Sequence, residues 1–209
     1  MRPREAALQE IIRRYFRSWC DYKKGSGDMA TAQRVDQIME SMGLSPEDRK
    51  VVEPARIAAE QALKKNGNSE YCMGTAIELH DGRIVTGKGS VLMNSPSSLI
   101  LNAIKELGHI ADEIHLLSPV ILEQIINLKK NSLGIKHPIL NLQEILIALS
   151  ISATTNPTAQ LALTKLKALQ NCEVHSSRII SQTDENTLRK LGINLTCDPE
   201  FPTKELYYI

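Results

Sequence analysis

Histidine and cysteine are the residues with which this chain could hold a metal, and their spacing does not favour it. The histidines are His80, His109, His115, His137 and His175, and the cysteines are Cys20, Cys72, Cys172 and Cys197. The one close pair, Cys172 and His175, falls at the start of a predicted strand, where neighbours three apart point to opposite faces. A zinc site needs three or four converging ligands. No metal and no cofactor is therefore expected. His175, Ser176 and Ser177 could supply a base and a nucleophile with Asp184 orienting them, but spacing alone does not bring them together. No catalytic residue is assigned.

Anion chemistry has two candidates. Gly87-Lys88-Gly89-Ser90 resembles part of a phosphate loop, without the glycine that should precede it. Asn94-Ser95-Pro96-Ser97-Ser98 opens a predicted helix, where free N–H groups and hydroxyls suit a phosphate or carboxylate and equally suit plain capping. A third polar run, Ser150, Ser152, Thr154, Thr155, Asn156 and Thr158, joins two apolar helices. The candidate ligand-binding set is Asn94, Ser97, Ser98, Thr154, Thr155, Asn156, Thr158 and His175.

These residues must be carried by regular elements. The spacing of Ile11, Ile12, Tyr15, Phe16 and Trp19 predicts an amphipathic helix over 5–23. A second helix is predicted over 28–42, with Val35, Ile38, Met39 and Met42 on one face. A third follows to about Lys65, small-sided through Ala55, Ala58, Ala59 and Ala62. A turn at Asn66-Gly67-Asn68 precedes strands at 73–79 and 83–88 around Asp81-Gly82, a strong hairpin signal. Then come a helix to Leu107, a short strand over 112–117 and a helix over 120–130. Asn141 with Glu144 forms a capping box for a helix to about Ser152, and Asn156-Pro157 starts another to about Leu169. A strand over 173–180, a helix capped by Ser181 or Thr183 and a strand over 193–197 complete the order.

That order is an α/β layer structure, a mixed sheet covered by helices and preceded by an N-terminal helical segment. The expected division is 1–50 for the helical segment and 51–209 for the α/β domain. The helix–hairpin–helix–strand–helix run resembles the cytidine-deaminase-like fold. The zinc ligands of that fold are missing: Ser97-Ser98-Leu99 stands at the first ligand position, and Val120 and Glu123 stand where Pro-Cys-x-x-Cys would place its cysteines.

The chain has 209 residues, a net charge of +1 and 23% charged residues, an ordinary globular balance that argues against disorder and against a strongly basic nucleic-acid binder. No aromatic residue lies between Cys72 and Glu200, so no stacking platform is available there for nucleic acid. The N-terminal stretch to Lys24 holds seven Lys/Arg against three Asp/Glu. Its apolar stripe favours a packing face with a solvated basic back. No apolar run reaches the ~18 residues of a membrane span, and no apolar stretch follows the basic N-terminus as in a signal peptide. The widely spaced cysteines suit a reducing, cytoplasmic setting.

Several stretches resemble one family: Glu10–Tyr15, Asp81–Lys88, Ala111–Leu116, Ala148–Ala153 with Thr155–Ala162, and Arg189–Cys197. Together they are similar to the C-terminal part of uncharacterised protein family 0371, a bacterial family without an assigned activity. The similarity covers essentially the whole chain. Members of that family resemble a two-part protein whose N-terminal part carries a Gly-rich loop of nucleotide-binding look, and this sequence contains no counterpart of that part. The expected function is a small-molecule-binding or assembly module, working as a homo-oligomer or with a separate N-terminal half. The alternative is a hydrolase or transferase acting on a small phosphorylated or nucleotide-like compound.

Overall fold

The computed structural model describes residues 3–67 and 72–202. Asn68 of the predicted turn and residues 203–209 of the predicted α/β domain lie outside the described residues. In chain order the elements are α1 (Pro3–Lys23), α2 (Met29–Ser41), α3 (Val52–Asn66), β1 (Gly74–Glu78), β2 (Ile84–Lys88), α4 (Ser95–Gly108), α5 (Pro119–Asn127), α6 (Leu142–Ser152), α7 (Pro157–Thr164), β3 (Glu173–Ser176), α8 (Gln182–Lys190) and β4 (Asn194–Cys197). A π turn extends α5 over Leu128–Ser132, and a 3-10 turn extends α7 over Lys165–Leu169.

The four strands form one mixed sheet in the order β2-β1-β3-β4. β1 is antiparallel to both β2 and β3, and β3 is parallel to β4. The register pairs Ile77 with Val174 and Val174 with Leu195, which puts these apolar side chains on one face. Alternation then sends Ala76, His175 and Thr196 to the other face.

The first face carries the main core. Leu99, Ile100, Ala103 and Ile104 of α4, Ile145, Ala148 and Leu149 of α6 and Leu188 of α8 are all buried against it. Gly87 is required here: a Cβ would overlap backbone atoms of Ser95 and Leu99, so the loop-like glycine run marks a close helix–strand approach. The second face takes α1 and α3. The alanine side predicted for α3 lies flat on it, with Ala55, Ala58 and Ala62 buried, and Gly74 leaves room for the Ala55 carbonyl. Ile12 and Phe16 of α1 are fully buried, as their spacing predicts.

Three expectations need correction. Residues 112–117 form no strand; they run as turns and irregular chain. Leu116 and Leu117 are both buried although adjacent, while Ile114 is exposed, so the segment lacks strand alternation. The slot beside β1 is taken by β3. Of the face predicted for α2, Met39 is buried, together with Ala32, while Ile38 and the C-cap Met42 are exposed. β3 is also shorter than predicted: after Ser177 donates to the Gly74 carbonyl, the chain leaves the sheet and Ile179 pairs with the Glu200 carbonyl.

Candidate functional site

Three of the predicted helix starts converge on one carboxylate. Asn94 caps α4, accepting from Ser97 N (3.0 Å) and Ser97 Oγ (2.6 Å). Its own Nδ2 donates to Asp184 Oδ2 at 2.7 Å. Asp184 Oδ1 accepts from Leu142 N, the first residue of α6, at 2.8 Å. Ser181, the cap of α8, donates its hydroxyl to Asp184 Oδ2 at 2.6 Å. Asp184 is 2% exposed, and burial holds its carboxyl above the usual value against the pull of these donors. The protein thus places its own carboxylate among the N-termini of α4, α6 and α8, where an anion is favoured. Asp184 is committed there and does not orient His175.

The polar run between α6 and α7 is a second, separate place. Asn156 caps α7 through Thr158 N (3.0 Å) and Ala159 N (3.2 Å), and its Nδ2 donates to the His115 carbonyl at 3.3 Å. Thr154 Oγ1 donates to the Ile151 carbonyl. Ser152 Oγ accepts from Ser118 N at 3.0 Å, fixing the start of α5 beside the end of α6. Thr154 and Thr155 are exposed.

His175 lies in a third place, on the opposite face of the sheet, fully buried under Phe16 with ring centres 4.7 Å apart. Nδ1 is 2.9 Å from Thr196 Oγ1, which also accepts from Arg49 Nε. Nε2 stands 3.4 Å from Asp198 Oδ1 but makes no hydrogen bond. Burial lowers the imidazole pKa, outweighing the pull of Asp198. Around it runs a charged network that the sequence did not reveal. Arg49, 1% exposed, donates to Glu173 Oε2 (2.5 Å) and to the Val174 and Asn194 carbonyls. Arg13 reaches Glu173 from α1, and Arg56 forks onto both oxygens of Asp198. Ser177 Oγ accepts from Gly74 N. These groups pin α1 and α3 to the sheet, and the hydroxyl beside His175, Thr196 Oγ1, is engaged by Arg49 and the Val174 carbonyl. Burial also pushes the Cys20 and Cys197 thiols up, which removes them as thiolate nucleophiles.

The eight predicted residues therefore occupy three places, and one of them, Ser98, lines a cavity of about 440 Å³. Ser98, Leu101, Asn102 and Lys105 form its wall on α4, at the i, i+3, i+4, i+7 spacing of one helix face. Leu92 and Met93 close one side, and His115, Leu116, Leu117, Pro119 and Leu122 close the other. The bond from Asn156 to the His115 carbonyl ties the α6–α7 hinge to this wall. Asn102 Nδ2 donates to the Thr86 carbonyl and Lys105 Nζ to the Asp112 carbonyl. Ser118, the cap position of α5, makes no side-chain cap bond. The size and the mixture of apolar wall with a few polar groups are those of a small-molecule pocket. Sequence reading missed Leu101, Asn102 and Lys105. Their signal was the stripe beside the buried face of α4, which looks like ordinary solvated helix until a facing wall exists. Among the described residues, no three His, Cys, Asp or Glu side chains are grouped to hold a metal.

Fold and pocket together define a helix-covered mixed α/β domain with one amphipathic cavity on its aliphatic side. A family model described as "Domain of unknown function DUF1846, C-terminal" matches residues 47–207. The chain is 52% identical to a UPF0371 protein of Clostridioides difficile strain 630, and 54% identical to a UPF0371 protein of Clostridium botulinum strain Okra. A UPF0371 protein of Clostridium tetani is 52% identical. Each similarity covers 98% of this chain and 41% of the relative, so the chain spans less than half the length of these proteins. The chain belongs to this bacterial family, which has no assigned activity. Among the described residues, no helix is long and apolar enough to cross a membrane.

Proposed function

We propose that this domain is a small-molecule-binding module and that its site is the cavity walled by α4 and α5. The observation that carries this is the combination of an apolar cavity with Ser98, Asn102, Lys105 and His115 on one lining. Ser98 meets the ligand, while Asn94 and Asn156 act through the helix starts they cap and Ser97 through its bonds to Asn94. The enzyme reading has less support, because Ser177 and Asp184 are bound up in backbone and cap bonds.

The division into a helical segment, 1–50, and an α/β domain, 51–209, is supported by a family match that begins at residue 47. We read the domain as a deaminase-like layout without zinc ligands. The helix–hairpin–helix run supports it, while the missing strand at 112–117 weakens it. The greater length of the relatives supports an assembly role alongside a separate N-terminal part, and exposed Val120, Leu128 and Leu133 suit such a contact. Cysteines that form no disulfide among the described residues support a cytoplasmic setting.

Thermal-shift measurement with a panel of nucleotides, phosphates and carboxylates tests the binding reading. A ligand at ten times its Kd adds about 1.4 kcal/mol, a rise of about 3–6 °C for a chain of this size. Leu101→Trp, which projects an indole into the cavity from its α4 wall, should abolish that rise. A panel with no effect, or shifts retained in Leu101→Trp, overturns the reading.

A further inference from the structure

We propose that the cavity takes a molecule with an apolar body and a single anionic head, carboxylate or phosphate, seated at Lys105. This rests on the reading of the cavity as a ligand site and adds the chemical class of the ligand. The body follows from the walls: Leu92, Leu101, Leu116 and Leu122 offer only hydrocarbon. At roughly 30 Å³ per heavy atom the volume holds about fifteen atoms, room for a short alkyl or small ring system.

The head follows from charge. The cavity lining contains one ammonium, Lys105, and no carboxylate. Buried Lys129 pairs with Glu144, whereas half-buried Lys105 has no carboxylate partner among the described residues. Its Nζ is held only by the Asp112 backbone carbonyl, at 2.8 Å, and forms no ion pair with any described carboxylate. Lys105 and Asn102 also line the adjoining polar groove of Arg83, Glu106 and Asp112. They therefore stand at the boundary where the apolar cavity opens to polar surroundings. An amphiphile placed with its head at that boundary meets a cation with a carbonyl already orienting it. A neutral body gains nothing from Lys105, and a cationic head is repelled.

The test is calorimetric titration of the full chain with octanoate, octyl phosphate, octanol and octylamine, each as monomer, and with inorganic phosphate. At least one of octanoate and octyl phosphate should bind about tenfold tighter than octanol. Which of the two binds tighter distinguishes a carboxylate from a phosphate source. Octylamine and inorganic phosphate should both be weaker than the tighter anion. Lys105→Ala should reduce that anion to the octanol level while leaving octanol unchanged, and Lys105→Arg should restore most of the gain. Octanol binding as tightly as both anions, with Leu101→Trp removing all of them, overturns the anionic class and leaves the cavity a ligand site. No binding by any octyl compound overturns the cavity reading together with the proposal.

Discussion

The two faces of the sheet are built on opposite principles. Ile77, Val174 and Leu195 point into a core of Leu, Ile, Ala and Val from α4, α6 and α8. One residue along each of the two C-terminal strands, His175 and Thr196 point the other way, into a network of Arg49, Glu173, Arg56 and Asp198 under α1 and α3. The aliphatic face buries area with little directional demand. The charged face needs each donor matched to an acceptor, because an unmatched buried ion costs several kcal/mol. The difference teaches where a site can exist. The charged face commits its arginines and carboxylates to one another and leaves His175 Nε2 without a hydrogen bond, while the aliphatic side leaves a cavity with Lys105, a cation in no ion pair among the described residues, on its rim.

The comparison breaks first at Arg49. Arg49→Ala leaves Glu173 Oε2 and two strand carbonyls without their guanidinium donor, with Arg13 still on Glu173 Oε1, and urea unfolding should show a loss of about 3 kcal/mol. A loss below about 1 kcal/mol would mean that the charged face is not a matched network.

The pH dependence sharpens it next. The His175 pKa is lowered in the fold, so its contribution is present above about 6.5, the ordinary imidazole value, and is lost as pH falls. The slope from one such group reaches at most about 1.4 kcal/mol per pH unit. Asp198 is held low by Arg56 and His175 against the upward pull of burial, and it adds a further loss only below the ordinary carboxylate range. Asp184, on the other face, has the opposite sign: its raised pKa gives stability at low pH that is lost as pH rises through the folded value. Stability measured against pH should therefore flatten below pH 6.5 in His175→Gln and steepen with acidification in Asp184→Asn. An unchanged profile in His175→Gln would remove His175 as the source.

The smallest effect belongs to the hinge. Asn156→Ala removes the cap of α7 and should cost about 1 kcal/mol, with loss of the tie to His115 weakening ligand binding at the cavity as well. A cost in stability with ligand affinity intact would detach the hinge from the site.

Much of this was legible in the sequence because it is local. Asn94, Asn141, Asn156 and Ser181 were readable as helix starts, since each cap acts within three residues of itself. The hairpin was readable from Asp81-Gly82, and the apolar stripe of α1 from period alone. Arg49 was not: it lies among Pro46, Glu47 and Asp48, where a charged residue looks solvated, and its partners are more than a hundred residues away. Asp184 was noticed as a possible catalytic orienter, yet its partners Asn94 and Leu142 are joined to it only by the packing of three helices. The strand expected at 112–117 failed because propensity does not say whether a sheet has a place left for it. Of the cavity, Ser98 was marked for its hydroxyl. Lys105 was passed over because a lysine on an amphipathic helix is unremarkable until its missing counter-charge is seen in three dimensions.

The most direct measurement is an amide chemical-shift titration of the isotope-labelled chain with the tighter of octanoate and octyl phosphate. Saturable shifts confined to Ser98, Leu101, Asn102, Lys105 and the His115–Leu122 segment, absent in Leu101→Trp, are the predicted result. Shifts centred instead on Phe16, His175 and Thr196, or no saturable shifts at all, would contradict the placement of the site on the aliphatic side of the sheet.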